Sequence, residues 1–351
     1  MTTQGFLPNT GRGRRSAAKQ AEYDRQLEAF YRLILDIDST LDFKVSARGW
    51  CYILEEYGLL KGEFDRAQAI MAEARKSGAL PIDITAEDAK RATINEDRGT
   101  FHHNMTPEQY LESEAGFLRG IIRDLGMDFQ PWPFWRDQPY YVEMLVEKID
   151  LKSLFEGVCE HYYVPLTNAV GWADIHSRAN MMRRFKEREK EGRRCVLLYC
   201  GDHDPGGLDI SKQLRKNLGD LVNAQGINWS PDDLIIDRFG LNYEFITEQN
   251  LSWVDNLETS SGRRLDDPRH PDHRKPYVQD YLAKYGARKV EANALVTRPK
   301  AGRELCRNAI ERYISPEAVQ RYEQAIESER QSLRQHIPEV VQAVAREVLG
   351  Q

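Results

Sequence analysis

Two aspartates separated by one residue, at the end of an apolar run, carry the clearest chemical meaning in this chain. The stretch Cys195-Val-Leu-Leu-Tyr-Cys-Gly-Asp-His-Asp-Pro-Gly-Gly207 reads as a buried strand running straight into Asp202 and Asp204. In open α/β sheets, ligands bind at the carboxyl ends of strands, and the glycines that follow let a second backbone come close. Tyr141-Val-Glu-Met-Leu-Val-Glu147 ends in the same way, which adds Glu147 as a third candidate. Three hard oxygen donors with no His or Cys cluster favour Mg²⁺ or Mn²⁺ over zinc. A plainer reading of Asp204 is a cap for a helix starting near Leu208. Glu143 shares a strand face with Glu147 and is either an aid to a second metal or a partly buried structural acid.

A second chemistry is suggested by Ser46-Ala-Arg-Gly-Trp-Cys-Tyr52. At 100° per residue, Trp50, Ile53, Leu54 and Tyr57 form one stripe, which is expected to be buried. Tyr52 falls on the opposite face, expected to point outward, with Arg48 one turn before it and Glu55 three residues after it. A phenol titrating near ~10 is a poor nucleophile at neutral pH, so a guanidinium alongside would help to form phenolate. The plainer reading is a surface tyrosine on a helix that touches a ligand. The histidines at 102, 103, 270 and 273 lie among prolines, arginines and aspartates and read as polar loops rather than metal ligands.

The surrounding pattern says what must position these groups. Residues 17 to 37 form an amphipathic helix; 45 to 83 read as two helices split by Gly58 and Gly62, then Gly78 and a strand-like Leu80-Pro81-Ile82, an order that suits a winged-helix module. A helix over 105 to 126, capped by Thr106, is followed by Phe129-Gln-Pro-Trp-Pro-Phe-Trp135, which cannot continue it and marks the expected domain boundary. Beyond lie strand 140 to 147, helix 149 to 160, strand 162 to 167, helix 174 to 191, strand 195 to 200, helix 207 to 222 and strand 233 to 237, the alternation of an α/β domain with a mostly parallel sheet. The tail from 316 to 349 reads as charged helix interrupted near Pro338. The expected division is a basic arm (1–20), a helical and winged-helix domain (21–135), the α/β domain (136–315) and C-terminal helices (316–351).

Composition narrows the partners. The 351 residues are 41% hydrophobic and 30% charged, with no apolar run near the ~18 needed to cross a bilayer, and the first residues lack the apolar core of a secretory signal. A cytoplasmic protein without membrane contact is expected. Five scattered cysteines without a C-x-x-C pair argue against a disulfide framework and structural zinc. The net charge of −6 leaves DNA contact to local basic patches: Arg12, Arg14, Arg15 and Lys19 in the arm, and residues 178 to 194, with eight Lys/Arg against three Glu and with Arg183 and Arg184 at its centre. No Walker-type phosphate loop is present.

Over roughly residues 40 to 310 these motifs resemble one family. Val146-Glu147-Lys148 before a helix, Val170-Gly171 after the next strand, and Gly201-Asp202-His203-Asp204-Pro205-Gly206-Gly207 resemble the TOPRIM domain of the topoisomerase VI A subunit and its relative, the meiotic double-strand-break transesterase. Lys289-Val-Glu-Ala-Asn-Ala-Leu295 resembles that family's Lys-x-Glu-x-x-Ala segment. In the family's cleavage motif, Ser/Thr-x-Arg is followed by an acid, one residue and two tyrosines, the second of which attacks DNA. Tyr52 holds that place, whereas Gly49 replaces the acid and Cys51 the first tyrosine.

The resemblance implies a CAP-like winged-helix domain followed by a TOPRIM domain, with Mg²⁺ held by Glu147, Asp202 and Asp204 at the scissile phosphate of double-stranded DNA. Tyr52 would be the nucleophile, assisted by Arg48. A homodimer is implied, each tyrosine working with its partner's metal site, and strand passage would need a separate GHKL-type ATPase subunit. The alternatives are a hydrolytic TOPRIM nuclease, in which water attacks, and a non-catalytic DNA-binding protein.

Overall fold

The structure, a computed structural model, describes residues 7–8, 16–86, 106–168, 175–258 and 263–350. In chain order the described elements are α1 (Ala17–Asp38), α2 (Ala47–Glu55), α3 (Phe64–Ser77), α4 (Pro107–Asp124), β1 (Tyr140–Val146), α5 (Ile149–His161), β2 (Leu166–Asn168), α6 (Ile175–Lys190), β3 (Arg194–Cys200), α7 (Pro205–Leu208), α8 (Ile210–Gly219), β4 (Ile235–Gly240), α9 (Tyr243–Glu248), α10 (Pro276–Tyr285), α11 (Pro299–Glu311) and α12 (Ala318–Leu349). Contacts group the chain into two units, one drawn from Met1–Glu87 and Pro139–Tyr313, the other from Asp88–Gln138 and Ile314–Gln351.

The first unit is built on a four-stranded, all-parallel sheet in the order β2-β1-β3-β4. β1 and β3 are nearly continuous apolar runs because they are the central strands, covered on both faces by helices. The polar exception within β1 is Glu143, which is fully buried; its carboxylate accepts from Nε and Nη2 of Arg184, each at 2.7 Å, and from the Tyr141 hydroxyl at 2.9 Å. It is therefore a structural acid, and Arg184 is the cation that compensates its charge.

Local signals explain the helix ends. Ser16, Ser46 and Thr106 accept from backbone N–H groups three residues on, and Gly78 ends α3 at φ +80°, a left-handed conformation that favours glycine. Other expectations require correction. Leu80-Pro81-Ile82 forms no strand; a 3₁₀ turn spans Ile82–Ile84, consistent with a proline that cannot donate to a ladder. The strand expected over 162–167 shrinks to Leu166–Asn168, since the turn ending α5 extends through Tyr163, at φ 57°. The helix expected at 207–222 breaks at Asp209, and α12 continues through Pro338.

The α1–α3 segment groups with the sheet, as its contacts explain: Asp150, on α5, accepts from the Ser46 backbone N–H and from the Ser46 hydroxyl at 2.7 Å. In the second unit Phe134 packs against Tyr322 at 5.4 Å, and the Tyr322 hydroxyl donates to the Trp132 carbonyl at 3.0 Å. All five cysteines are buried, free thiols. Among the described residues no helix is long and apolar enough to cross a membrane.

Candidate active site

Parallel pairing of β1 with β3 places Val146 opposite Cys200, so Glu147 and the Gly201-Asp202 turn leave the sheet side by side. Each carboxylate is gripped on one oxygen by the scaffold. Glu147 Oε2 accepts from the Asp202 N–H at 2.8 Å and from the Tyr199 hydroxyl at 3.2 Å, while Asp202 Oδ1 accepts from the Ala292 N–H at 2.7 Å. The other oxygens, Glu147 Oε1 and Asp202 Oδ2, lie 2.7 and 3.0 Å from the Lys148 ammonium, which bridges them. A Cβ at Gly201 would sit 2.6 Å from Glu147 Oε2 and would also collide with the Tyr199 hydroxyl, so glycine is required there by this close approach.

Burial, and then the neighbouring Glu147 charge, push the Asp202 carboxyl well up from its ordinary range. Glu147 is held below its ordinary value: burial acts against this, but Lys148 and the Asp202 N–H outweigh it.

Asp204 is placed differently. Its Oδ1 accepts from the Gly207 N–H at 2.6 Å and caps α7, as the plainer reading expected. Among the described residues no group of three or more His, Cys, Asp and Glu side chains is gathered closely enough to hold a metal ion. His203, between the aspartates, is a core residue: its Nδ1 lies 2.9 Å from the Leu241 carbonyl oxygen and its ring packs against Trp253, Tyr281 and Tyr285. The half-buried Arg238 guanidinium braces the same turn through the carbonyls of Gly207 at 2.7 Å and Asp202 at 3.3 Å.

Tyr52 is the main correction. Its side chain is only 1% exposed, whereas Tyr57, assigned to the buried stripe, is 53% exposed. Trp50, Ile53 and Leu54 are buried as the helical wheel expected, but Tyr57 lies beyond the helix, which ends at Glu55, and the wheel assumed that the opposite face meets solvent. Instead α2 is covered on both sides, with Phe64 of α3 edge-on to the Tyr52 ring at 5.2 Å and the 3₁₀ turn Ala292–Thr297 packed against the helix.

The Tyr52 hydroxyl donates to Glu291, which also takes Arg48 at 2.9 Å and lies 3.4 Å from Lys289. Lys61 lies 5.1 Å from the Tyr52 ring centre. Burial, then the Glu291 charge, raise the phenol far above its usual value. Glu291, despite burial, is held down to about 2 by the Tyr52 hydroxyl and Arg48. In this arrangement Glu291 is far too weak a base to take the phenolic proton.

Two further positions fill in the α2 environment. A Cβ at Gly49 would meet Asp150 Oδ2 at 2.9 Å, so a carboxylate borne by α5 occupies the space beside the position where the resembled motif has its acid. Arg48 sits one turn before Tyr52, as expected, with its guanidinium carbon 6.0 Å from the ring centre.

Of the proposed DNA contacts, Arg183 is exposed and bonded to Asn180, and Arg184 is engaged with Glu143. Arg12, Arg14, Arg15, Val170, Gly171, His102 and His103 lie outside the described residues. His270 and His273 make local loop contacts, with the Asp272 N–H and the Leu265 carbonyl oxygen respectively. Lys148 and Glu291 were missed as site residues, although both stood inside motifs already singled out. The signal for Lys148 was a cation directly after a strand-final carboxylate. Comparison with models of known families, with curated proteins and with solved structures finds no match to this chain.

Proposed function

We propose that this chain is a divalent-cation-dependent enzyme that cleaves DNA phosphodiester bonds at Glu147 and Asp202, on a TOPRIM-like sheet preceded by a winged-helix-like segment. One observation carries the reading: two carboxylates from adjacent parallel strand ends converge on a single cation, the Lys148 ammonium. A donor pair that already holds a positive charge fits Mg²⁺ or Mn²⁺, since Mg²⁺ commonly takes one or two carboxylates and keeps several waters. The cation would neutralise phosphate charge and polarise the phosphoryl group. The chain's own residues do the rest. Tyr199, the Asp202 N–H and the Ala292 N–H orient the carboxylates, while the half-exposed Arg48 guanidinium beside Glu291 would supply positive charge to an approaching phosphate.

Water is the nucleophile that suits this arrangement, because the Tyr52 phenol is enclosed and strongly protonated. A second reading, transesterification by Tyr52, is favoured by a specific link: Tyr52 is bound to Glu291, and the next residue, Ala292, holds Asp202. It requires the Tyr52–Glu291 contact to open, within one chain or toward a partner copy in a homodimer. Strand passage would further require a separate GHKL-type ATPase subunit, whereas cleavage alone would not.

The test is cleavage of supercoiled DNA with Mg²⁺ or Mn²⁺. Glu147→Gln and Asp202→Asn are expected to abolish cutting with the fold retained; full activity in both would overturn the site. Tyr52→Phe is expected to cut, with no protein attached to DNA ends in denatured wild-type reactions. Loss of cutting in Tyr52→Phe together with a wild-type adduct would establish the transesterase. Removing this buried hydroxyl should also cost about 1.5–3 kcal/mol of stability, because it donates to a charged partner.

A further inference from the structure

We infer that Lys148 is a built-in counter-ion that competes with the divalent cation for the Glu147–Asp202 pair and so sets the metal affinity of the site. The inference rests on the carboxylate reading above. Each carboxylate spends one oxygen on the scaffold: Glu147 Oε2 on the Asp202 N–H and the Tyr199 hydroxyl, Asp202 Oδ1 on the Ala292 N–H. The oxygens left to face a cation are the two that Lys148 takes, at 2.7 and 3.0 Å.

An ammonium and a divalent cation cannot share those oxygens, since each would repel the other at contact distance. Metal entry must therefore displace Lys148. The geometry allows it: the Lys148 backbone is fixed as the extended residue before α5, at φ −117° and ψ 148°, while its side chain is 29% exposed and has a route to solvent. Without metal, the same ammonium keeps two close carboxylates from repelling each other apart. With metal it becomes a free cation at the rim of the site.

Calorimetric titration of Mn²⁺ and Mg²⁺ into the full chain tests this directly, with circular dichroism as the check on folding. Lys148→Met, which removes the competing charge, should bind metal about tenfold more tightly than wild type, and Lys148→Arg should resemble wild type. Unchanged or weaker binding by Lys148→Met, restored by Lys148→Arg, would overturn the competition and make Lys148 a positioning residue. Absence of binding in both wild type and folded Lys148→Met would overturn the metal reading itself, and this inference with it. A measurement on the wild type alone covers the case in which Lys148→Met fails to fold: acetylation of Lys148, followed by mass spectrometry, should accelerate when Mn²⁺ is added. An unchanged rate, in a protein shown by calorimetry to bind Mn²⁺, would equally overturn the proposal.

Discussion

Glu291 shows how one side chain changes the meaning of several others. It takes the Tyr52 hydroxyl as a hydrogen-bond donor and the Arg48 guanidinium as an ion-pair partner. Despite burial, the Tyr52 hydroxyl and Arg48 hold its carboxyl down to about 2 from an ordinary 4.5, so folding depends on its charge. Because the folded-state value is depressed, the contribution is fully present above the ordinary value and is lost as pH falls through the folded one. Urea denaturation of wild type should therefore show stability falling between pH 4.5 and about 2. Glu291→Gln should remove that part of the slope; an identical slope in the variant would contradict the assignment.

At the scale of elements, the decisive feature is that α2 is pinned from outside itself. Ser46 caps the helix through the Gly49 N–H at 3.1 Å and is in turn held by Asp150, 1% exposed, from α5. Restoring the acid that the resembled motif carries at position 49 should therefore do harm. Gly49→Asp places a second carboxylate where even a Cβ would lie 2.9 Å from Asp150 Oδ2. That steric clash, with a second carboxylate forced beside a buried one, should destabilise the protein by roughly 2 kcal/mol or more. Thermal denaturation measures the cost; a variant as stable as wild type would show that α2 shifts freely on α5.

For the whole molecule, the proposed DNA cleavage would require a chain of net charge −6 to meet DNA through local cations. The basic stretch 178 to 194 is largely occupied within the fold: Arg178 on the Asn217 carbonyl, Arg184 on Glu143, Lys186 on the Ile227 carbonyl, Arg188 on Glu191 and Lys190 on Glu187. Arg184→Ala should accordingly act on stability, costing about 3–5 kcal/mol, because it strands the buried Glu143 charge. It should leave the salt dependence of DNA affinity unchanged, whereas removing residues 1 to 19 should flatten it. Denaturation and salt-titrated binding separate the two effects. A reduced salt slope with unchanged stability in Arg184→Ala would return that residue to the DNA-contacting set.

What the sequence determined by itself was whatever depends on near neighbours. The caps at Ser16, Ser46 and Thr106, the stop at Gly78, the two central strands and the strand-final placement of Glu147 and Asp202 all follow from patterns a few residues long. The buried positions Trp50, Ile53 and Leu54 of α2 were legible too, though not the end of the helix before Tyr57. Tertiary structure alone decided what those faces meet, because the partners arrive from far along the chain. Glu291 reaches Tyr52 across 239 residues, Asp150 reaches Ser46 across 104, and Asp202 draws Lys148 into its bridge across 54. Local periodicity specifies the direction in which a side chain leaves its helix or strand. Whether solvent, a carboxylate or an ammonium waits there is set by the packing of elements that no local pattern connects.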